Sequence, residues 1–593
     1  MQHTFHIPVL GLGYSIDTPL KVARYGIHST LSIVDDELIE RMREYHQKQN
    51  DIDYKPISKK DVDYRAQRIT AYLNLIDKTV NEQFEHLRQT EFTAGSEICK
   101  YFELLPDSSP LKHGYELMMD YPEGESKRIF QSILRKAMKV GNADVNIMAK
   151  VDKMNFVNGA YAGDENTDAL AALRGFANST SNAAVILSAG MNPRLYSYIE
   201  NFHDFQPDHK GQFKKKIILK VSDFRSAAIQ AKFLAKKGIW ISEFRIESGL
   251  NCGGHAFATE GYLLGPILEE FKTKKIALIN ELFISYQAAL YQKAITIQQA
   301  PEQRFSVQGG IGTAEEQSFL LKHYNLNTTG WGSPFLLVPE VTNVDAETLN
   351  HLVKSKEEDF YLSNSSPLGV RFNNFKNSSS NLQRIERIQK GRPGSPCAKK
   401  YLCNNTEFTT VPICTASREY QNLKIKELQS ADLSVEKYQE AFDQVTEKVC
   451  LCEGLCASAY IKNEIIKPKE SKAVAICPGP NLAYFSGSYS FDEMVGHIYG
   501  KVNLLANRVR PHVFINELNL YIDYLQAEIN NQLGGLSDKK RKQLTNFKMQ
   551  LNEGIEYYRK LFKQSYQLKF SNIKDCFQSL EISQIKLNQL SIN

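Results

Sequence analysis

Long apolar runs are missing from this chain. In 593 residues none approaches the ~18 consecutive apolar positions that a membrane-crossing helix needs. The start, Met1-Gln2-His3-Thr4-Phe5-His6, has no basic cluster and no apolar stretch of signal-peptide length, so a cytoplasmic protein is the expectation. Cysteine is too sparse for a disulfide scaffold: there are ten, expected as thiols or metal ligands in a reducing compartment. Charge of one sign is also lacking. The net value of +5 is spread along the chain, and the runs Lys214-Lys215-Lys216 and Lys539-Lys540-Arg541-Lys542 read as solvated surface. No concentrated basic face argues for nucleic acid. There is no internal repeat and no separate G-x-G-x-x-G strand–turn–helix unit for a nicotinamide dinucleotide. What remains is 42% hydrophobic, 23% charged and 10% aromatic, which excludes collagen-like, low-complexity and wholly disordered chains.

Short apolar runs alternate with helical patterns. Strands are expected at His6–Leu10, Ser29–Val34, Val145–Val151, Ala183–Ser188, Lys216–Val221, Glu243–Glu247, Arg304–Val307 and Gly330–Leu337. Near-continuous apolar strands indicate a parallel sheet buried on both faces. Helices are expected between them at Asp36–Gln47, Asp168–Asn178, Pro193–Phe202, Ser226–Lys237 and Ala314–Tyr324. This order predicts an α/β fold, a (β/α)8 TIM barrel with a helical insertion and a mainly helical C-terminal extension. Three units follow: a barrel over 1–372 with insertions at about 50–140 and 258–303, a polar linker over 373–396, and a cysteine-containing, mainly helical region over 397–593. Inserts of this length on one face of a barrel are expected to form a lid. Amphipathic stretches at Phe491–Asn507, Ile515–Gln532 and Asp538–Gln567 suit a homodimer, an accessory-subunit contact or packing on the barrel.

Two glycine turns carry the first chemical signal. Gly309-Gly310-Ile311-Gly312-Thr313 follows the seventh strand and opens a helix. Glycines let backbone N–H groups approach an anion there, and the helix aims its positive end at the same point. Gly332-Ser333, within Thr329-Gly330-Trp331-Gly332-Ser333, offers the other half of a phosphate site beside the eighth strand. The second signal is Glu247-Ser248-Gly249-Leu250-Asn251-Cys252-Gly253-Gly254-His255, which ends the sixth strand. Barrel chemistry sits at strand C-termini, and Gly253-Gly254 permit a turn that presents the His255 imidazole as a general base or charge stabiliser. Lys150 or Lys220 places a cation near the same mouth, unless it snorkels. Asn192 caps a helix or touches ligand.

This order of motifs resembles the nitronate monooxygenase (2-nitropropane dioxygenase) family of FMN-dependent TIM barrels and its enoyl-reductase relatives. The matching pieces are Pro8-Val9-Leu10-Gly11-Leu12-Gly13, then Gly253-Gly254-His255, Gly309-Gly310-Ile311-Gly312 and Trp331-Gly332-Ser333, with Gly369-Val370-Arg371 after the barrel. The resemblance implies FMN as cofactor and a small-molecule substrate, and the lack of a long apolar run leaves no membrane partner expected. It implies a flavin ring lined by the Gly11 and Gly13 loop, with His255 at its reactive face, and either Lys150 or Lys220 is then expected near the ring's N1–C2 region. The phosphate falls to Gly309, Gly310, Gly312, Gly332 and Ser333. The implied activity is that of an FMN-dependent oxidoreductase, a monooxygenase acting on a nitronate. An NAD(P)H-using enoyl reductase, a phosphorylated-substrate enzyme and a catalytically silent FMN-binding accessory subunit are the alternatives.

Seven cysteines fall between Cys397 and Cys477. The Cys450-Leu451-Cys452-Glu453-Gly454-Leu455-Cys456 spacing leaves open zinc, an iron–sulfur cluster, a redox pair or reduced buried thiols.

Overall fold

A computed structural model describes residues 2–148, 152–157, 160–188, 190–256, 260–505, 508–530, 537–565 and 573–592. Eight strands close into one parallel barrel: β1 Phe5–Ile7, β2 His28–Ser32, β3 Ala143–Ile147, β4 Ala184–Leu187, β5 Lys216–Val221, β6 Glu243–Glu247, β7 Arg304–Gln308 and β8 Thr328–Gly330. Each pairs with its neighbours in the sequence, and β1 closes the ring on β8 through Phe5–Thr329 and His6–Gly330. This is the TIM-barrel architecture. The eighth strand is shorter than its apolar run. After Gly330 the chain turns at Gly332, and Ser333–Leu337 form a 3-10 helix led by Pro334. Proline has no N–H to give a sheet ladder, which accounts for the difference.

The strands are not apolar on both faces. Phe244 and Ile246 of β6 point outward, where Phe244 meets Phe271 of helix Leu264–Gln292 and Phe305 of β7. The alternate residues Glu243, Arg245 and Glu247 point inward. Arg245 Nε donates to Glu243 Oε1 at 2.9 Å, and Ser306 Oγ of β7 donates to the same oxygen at 2.5 Å. Burial pushes the Glu243 carboxyl up, but Arg245, His6, Arg304 and the Ser306 hydroxyl together outweigh it and hold the group at about 2. Nearer the mouth, Glu247 accepts from Gln308 Nε2 at 2.7 Å and pairs with Lys220 at 2.9 Å. Ala184, Ile186 and Ile218 form a small apolar patch separate from the main core. The barrel interior is therefore largely an ionic layer, in place of the usual branched aliphatic one.

Among the described residues the long helix of each insertion packs on the outer helices of the barrel. Helix Tyr64–Gln89 packs between helices Asp36–Gln49 and Asp168–Ala177, and Arg65 and Arg68 each reach Asp36 at 2.8 Å. Helix Leu264–Gln292 lies against helix Phe224–Ala235. Both take places in the outer ring. The stretch read as a linker carries a strand, Phe372–Phe375, and a helix, Ser379–Gln389. The carboxyl-terminal region is helical, with Leu451–Lys462, Phe491–Ile498, Val513–Asn530, Asp538–Ser565 and Ile573–Gln589 as its main elements, and its apolar residues join the core of the barrel shell. One attachment is a buried carboxylate. Asp35, after β2, accepts from Lys399 Nζ at 2.5 Å, Tyr401 Oη at 3.2 Å and Cys456 Sγ at 3.2 Å. Among the described residues no helix is long and apolar enough to cross a membrane.

Asp144 on β3 gives a pH test of the ionic interior. Burial raises its carboxyl from 3.8 to about 6, although Ala184 N–H donates to it at 2.9 Å. The native state then holds this proton more tightly than the unfolded chain, so stability falls as pH rises through that window, and the penalty persists above it. Asp144→Asn is expected to gain up to about 3 kcal/mol at pH 8 and nothing near pH 3.5, read by urea unfolding at the two pH values.

Candidate active site

The loop after β6 is built by partners from distant parts of the chain. Glu517, on helix Val513–Asn530, accepts from Ser248 Oγ at 2.8 Å, Gly249 N–H at 2.8 Å and Leu264 N–H at 2.6 Å. One buried carboxylate thus holds both ends of the loop. Asn251 caps its middle: its Oδ1 accepts from Gly253 N–H at 2.7 Å, and its Nδ2 donates to the His255 carbonyl at 3.1 Å. Gly253 bridges to Pro478, and a Cβ on it would stand 2.3 Å from the Cys477 carbonyl. Gly254 has φ of 81° and donates to that carbonyl at 2.9 Å. The two glycines therefore let the loop lie flat on the 477–478 segment, which delivers His255 half-exposed. Its Nε2 is 2.7 Å from Ser366 Oγ, and its ring meets Phe372 edge-on at 4.9 Å. Ser366 is fully buried, and its Oγ also accepts from Leu368 N–H at 3.2 Å. This fixed hydroxyl orients the imidazole.

The two glycine turns come together over the same segment. Ser333 Oγ accepts from Gly479 N–H at 2.7 Å and donates to the Cys252 carbonyl at 3.1 Å. Asn481 Nδ2, two residues on, donates to the Ile311 carbonyl at 2.9 Å. Gly332 packs on Cys252 and Gly309 on Asn251, each too closely for a Cβ. Three carbonyls of the Gly309 turn are taken by residues of the carboxyl-terminal region. Arg510 donates to Gly310 O, Asn481 to Ile311 O, and His497 Nε2 to Gly312 O at 2.9 Å. In a trans peptide the N–H opposes the C=O, so the Arg510 contact on the Gly310 carbonyl aims the Ile311 N–H away from the clamp. Gly312 N–H meets Glu316 Oε2 at 2.9 Å. Among the described residues the N–H groups of Gly310, Ile311, Gly332 and Ser333 have no hydrogen-bond acceptor, although all four residues are buried. Buried N–H groups are rarely left unpaired, and a set of them on two adjoining turns matches the donor chemistry of a phosphate seat.

The remaining candidates have other surroundings. Gly11, with φ of 122°, is half-exposed above β1. Gly13 is buried against helix Leu451–Lys462, with its N–H on Leu455 O at 3.0 Å, so it faces the extension. Lys150 lies outside the described residues. Lys220 is at the mouth, in its pair with Glu247. Asn192 caps helix Pro193–Tyr198 through Leu195 N–H at 3.0 Å. The cysteines of the 397–456 stretch fall into two neighbouring groups. Cys450 precedes helix Leu451–Lys462, which carries Cys452 and Cys456, while Cys397 and Cys403, with sulfurs 3.9 Å apart, pack with Cys414 beside it. Among the described residues no three His, Cys, Asp or Glu side chains are placed to hold a metal ion, so zinc or iron–sulfur at these cysteines finds no support.

No known family model and no curated protein matches this chain. Among solved structures, FabK from Thermotoga maritima is similar at 12% identity and a TM-score of 0.30, over 68% of this chain and 83% of FabK. The enoyl reductase domain of MlnA, from the macrolactin biosynthesis cluster of Bacillus amyloliquefaciens, is similar at 13% identity and a TM-score of 0.32, over 71% and 94%. The barrel assignment rests on the strand pairing itself.

Sequence reasoning missed Ser366, Asn251, Glu517, Asn481 and Arg510 as parts of this site. Glu517 tests how the His255 loop is held. Glu517→Gln would turn an amide donor toward Leu264 N–H or Gly249 N–H. It is expected to cost about 1–3 kcal/mol in urea unfolding, the range for a buried donor left without an acceptor.

Proposed function

We propose that this protein is an FMN-dependent oxidoreductase of the nitronate monooxygenase-like type, working at the C-terminal mouth of the barrel. The observation that carries this reading is the set of four acceptor-less N–H groups on the Gly309–Gly312 and Gly332–Ser333 turns. These residues would hold the FMN phosphate, with the Ser333 hydroxyl beside them. Gly11 and the Gly253-Gly254 loop would line the ring. Bound there, the flavin would supply the electron acceptance that no amino-acid side chain provides.

The chain's own groups then have defined tasks. His255 takes or stabilises a proton at the reacting carbon of an acidic small molecule, with Ser366 Oγ fixing Nε2 and so the ring orientation. The Lys220–Glu247 pair places a balanced charge at the floor of the mouth, where it orients polar substrate atoms without a net field. The loop clamped by Glu517 and Cys477 keeps bulk water from that side of the imidazole.

The test is an absorbance spectrum of purified protein with added FMN, followed by anaerobic mixing with a nitronate or with NAD(P)H. Flavin bands near ~370 and ~450 nm that shift on binding, and bleach with the nitronate, are expected. Bleaching by NAD(P)H alone would favour the enoyl-reductase chemistry, and absence of flavin uptake would remove both. His255→Ala is expected to retain flavin and lose about 100-fold or more in turnover.

A further inference from the structure

The phosphate seat proposed above is shaped by residues that lie outside the barrel. Arg510 is nearly fully buried beside the Gly309 turn and makes four contacts at once. Its Nη1 pairs with Glu316 Oε1 at 2.6 Å, its Nε donates to Asn481 Oδ1 at 2.6 Å, its Nη2 reaches the Gly310 carbonyl, and its guanidinium lies over the Tyr484 ring at 5.8 Å. A Cβ on Gly312 would stand 2.5 Å from Arg510 Nε, so the third glycine of the motif makes room for this side chain. Glu316 uses its other oxygen on Gly312 N–H and also accepts from Val513 N–H at 2.7 Å. Asn481 and His497 complete the clamp on the Ile311 and Gly312 carbonyls. His497 Nδ1 accepts from Leu504 N–H at 3.2 Å, which leaves Nε2 as the donor to Gly312.

We propose that Arg510 and Asn481, from the carboxyl-terminal region, are positioning residues for the cofactor: they hold the Gly309–Gly312 turn in the one backbone orientation that presents its N–H groups to a phosphate. The inference rests on the FMN reading. It assigns the extension a role in the site beyond packing. Arg510 grips the Gly310 carbonyl, which turns together with the Ile311 N–H, and Asn481 holds the next carbonyl and accepts from Arg510 Nε, so releasing either side chain frees that donor to rotate. The coupling is reciprocal: a phosphate bound to the turn also stabilises the seating of 477–513 on the barrel.

The experiment compares full-length wild type with Asn481→Ala, Arg510→Lys and the matched double variant Arg510→Met with Glu316→Gln, which removes both buried charges together. Flavin-fluorescence quenching gives the FMN affinity, and thermal unfolding with and without FMN gives the stabilisation by ligand. Riboflavin, which lacks the phosphate, is run in parallel. Wild type is expected to prefer FMN to riboflavin, while Asn481→Ala and Arg510→Lys lose about tenfold in FMN affinity with riboflavin affinity unchanged. The double variant, if folded, loses at least as much. Variants that keep wild-type FMN affinity and the same ligand-induced stabilisation would overturn the proposal while leaving the FMN reading intact. Equal losses for FMN and riboflavin would overturn it too, because they would indicate a general structural defect. A wild type that takes up no FMN would remove the reading and the proposal together.

Discussion

The buried Glu316–Arg510 pair is the contact on which the arrangement of the mouth turns. Burial alone would push the Glu316 carboxyl up, but Arg510, with His512 and the Gly312 N–H, brings it below its ordinary value. A buried ion pair of this kind contributes little net stability, yet removing one partner strands the other in a low-dielectric setting. Such a pair specifies position more than it adds strength. Glu316 belongs to the helix that follows β7, and Arg510 comes just before helix Val513–Asn530, so their meeting fixes where the extension lies on the barrel. The Gly309 turn, the Cys252 loop and the 477–481 segment then pack into one unit.

Much of the barrel was legible in the sequence because its signals are local. Lys216–Val221 and Glu243–Glu247 match β5 and β6 residue for residue, since their turns and flanking helices are marked within a few positions. What those segments also contain, but what an apolar-run reading passes over, is the alternation Glu243, Arg245, Glu247 against Phe244 and Ile246. Parallel strands are expected to be apolar on both faces. Here the inward charges neutralise one another, along one strand as Arg245 does with Glu243 and across strands as Lys220 does with Glu247, and the period of two survives in a parallel barrel. The eighth strand was read too long because Trp331, Pro334, Phe335, Leu336 and Leu337 are as apolar as a strand, while their burial comes from a 3-10 turn packed in the core.

The site divided along the same line. Gly253, Gly254, Gly309, Gly310, Gly312 and Gly332 stand out because close backbone approach leaves a mark in the residues themselves: most lack room for a Cβ, and Gly254 sits at positive φ. Their partners leave no such mark. Glu517 reads as one more charge on an amphipathic helix, Arg510 as one basic residue before it, and Ser366 as a loop serine. Only the fold brings them to Gly249, Gly310 and His255. The polar character of the 373–396 stretch pointed to a linker, but Asn373 spends its amide on Asn251 Oδ1 and Gly254 O, which makes that strand part of the loop's support.

Asp35 has a consequence for how the chain is made. Its partners Lys399, Tyr401 and Cys456 lie 364, 366 and 421 positions downstream. While the ribosome is still producing the second half, the nascent amino-terminal half carries this carboxylate at the end of β2 without its cation, held only by the Glu37 and Leu38 N–H groups that it caps. Domains emerging from synthesis generally fold from the amino terminus as units. All eight strands end by Gly330, before Lys399 and Cys456 are made, so the burial of the Asp35 carboxylate is the step left to the arrival of the tail.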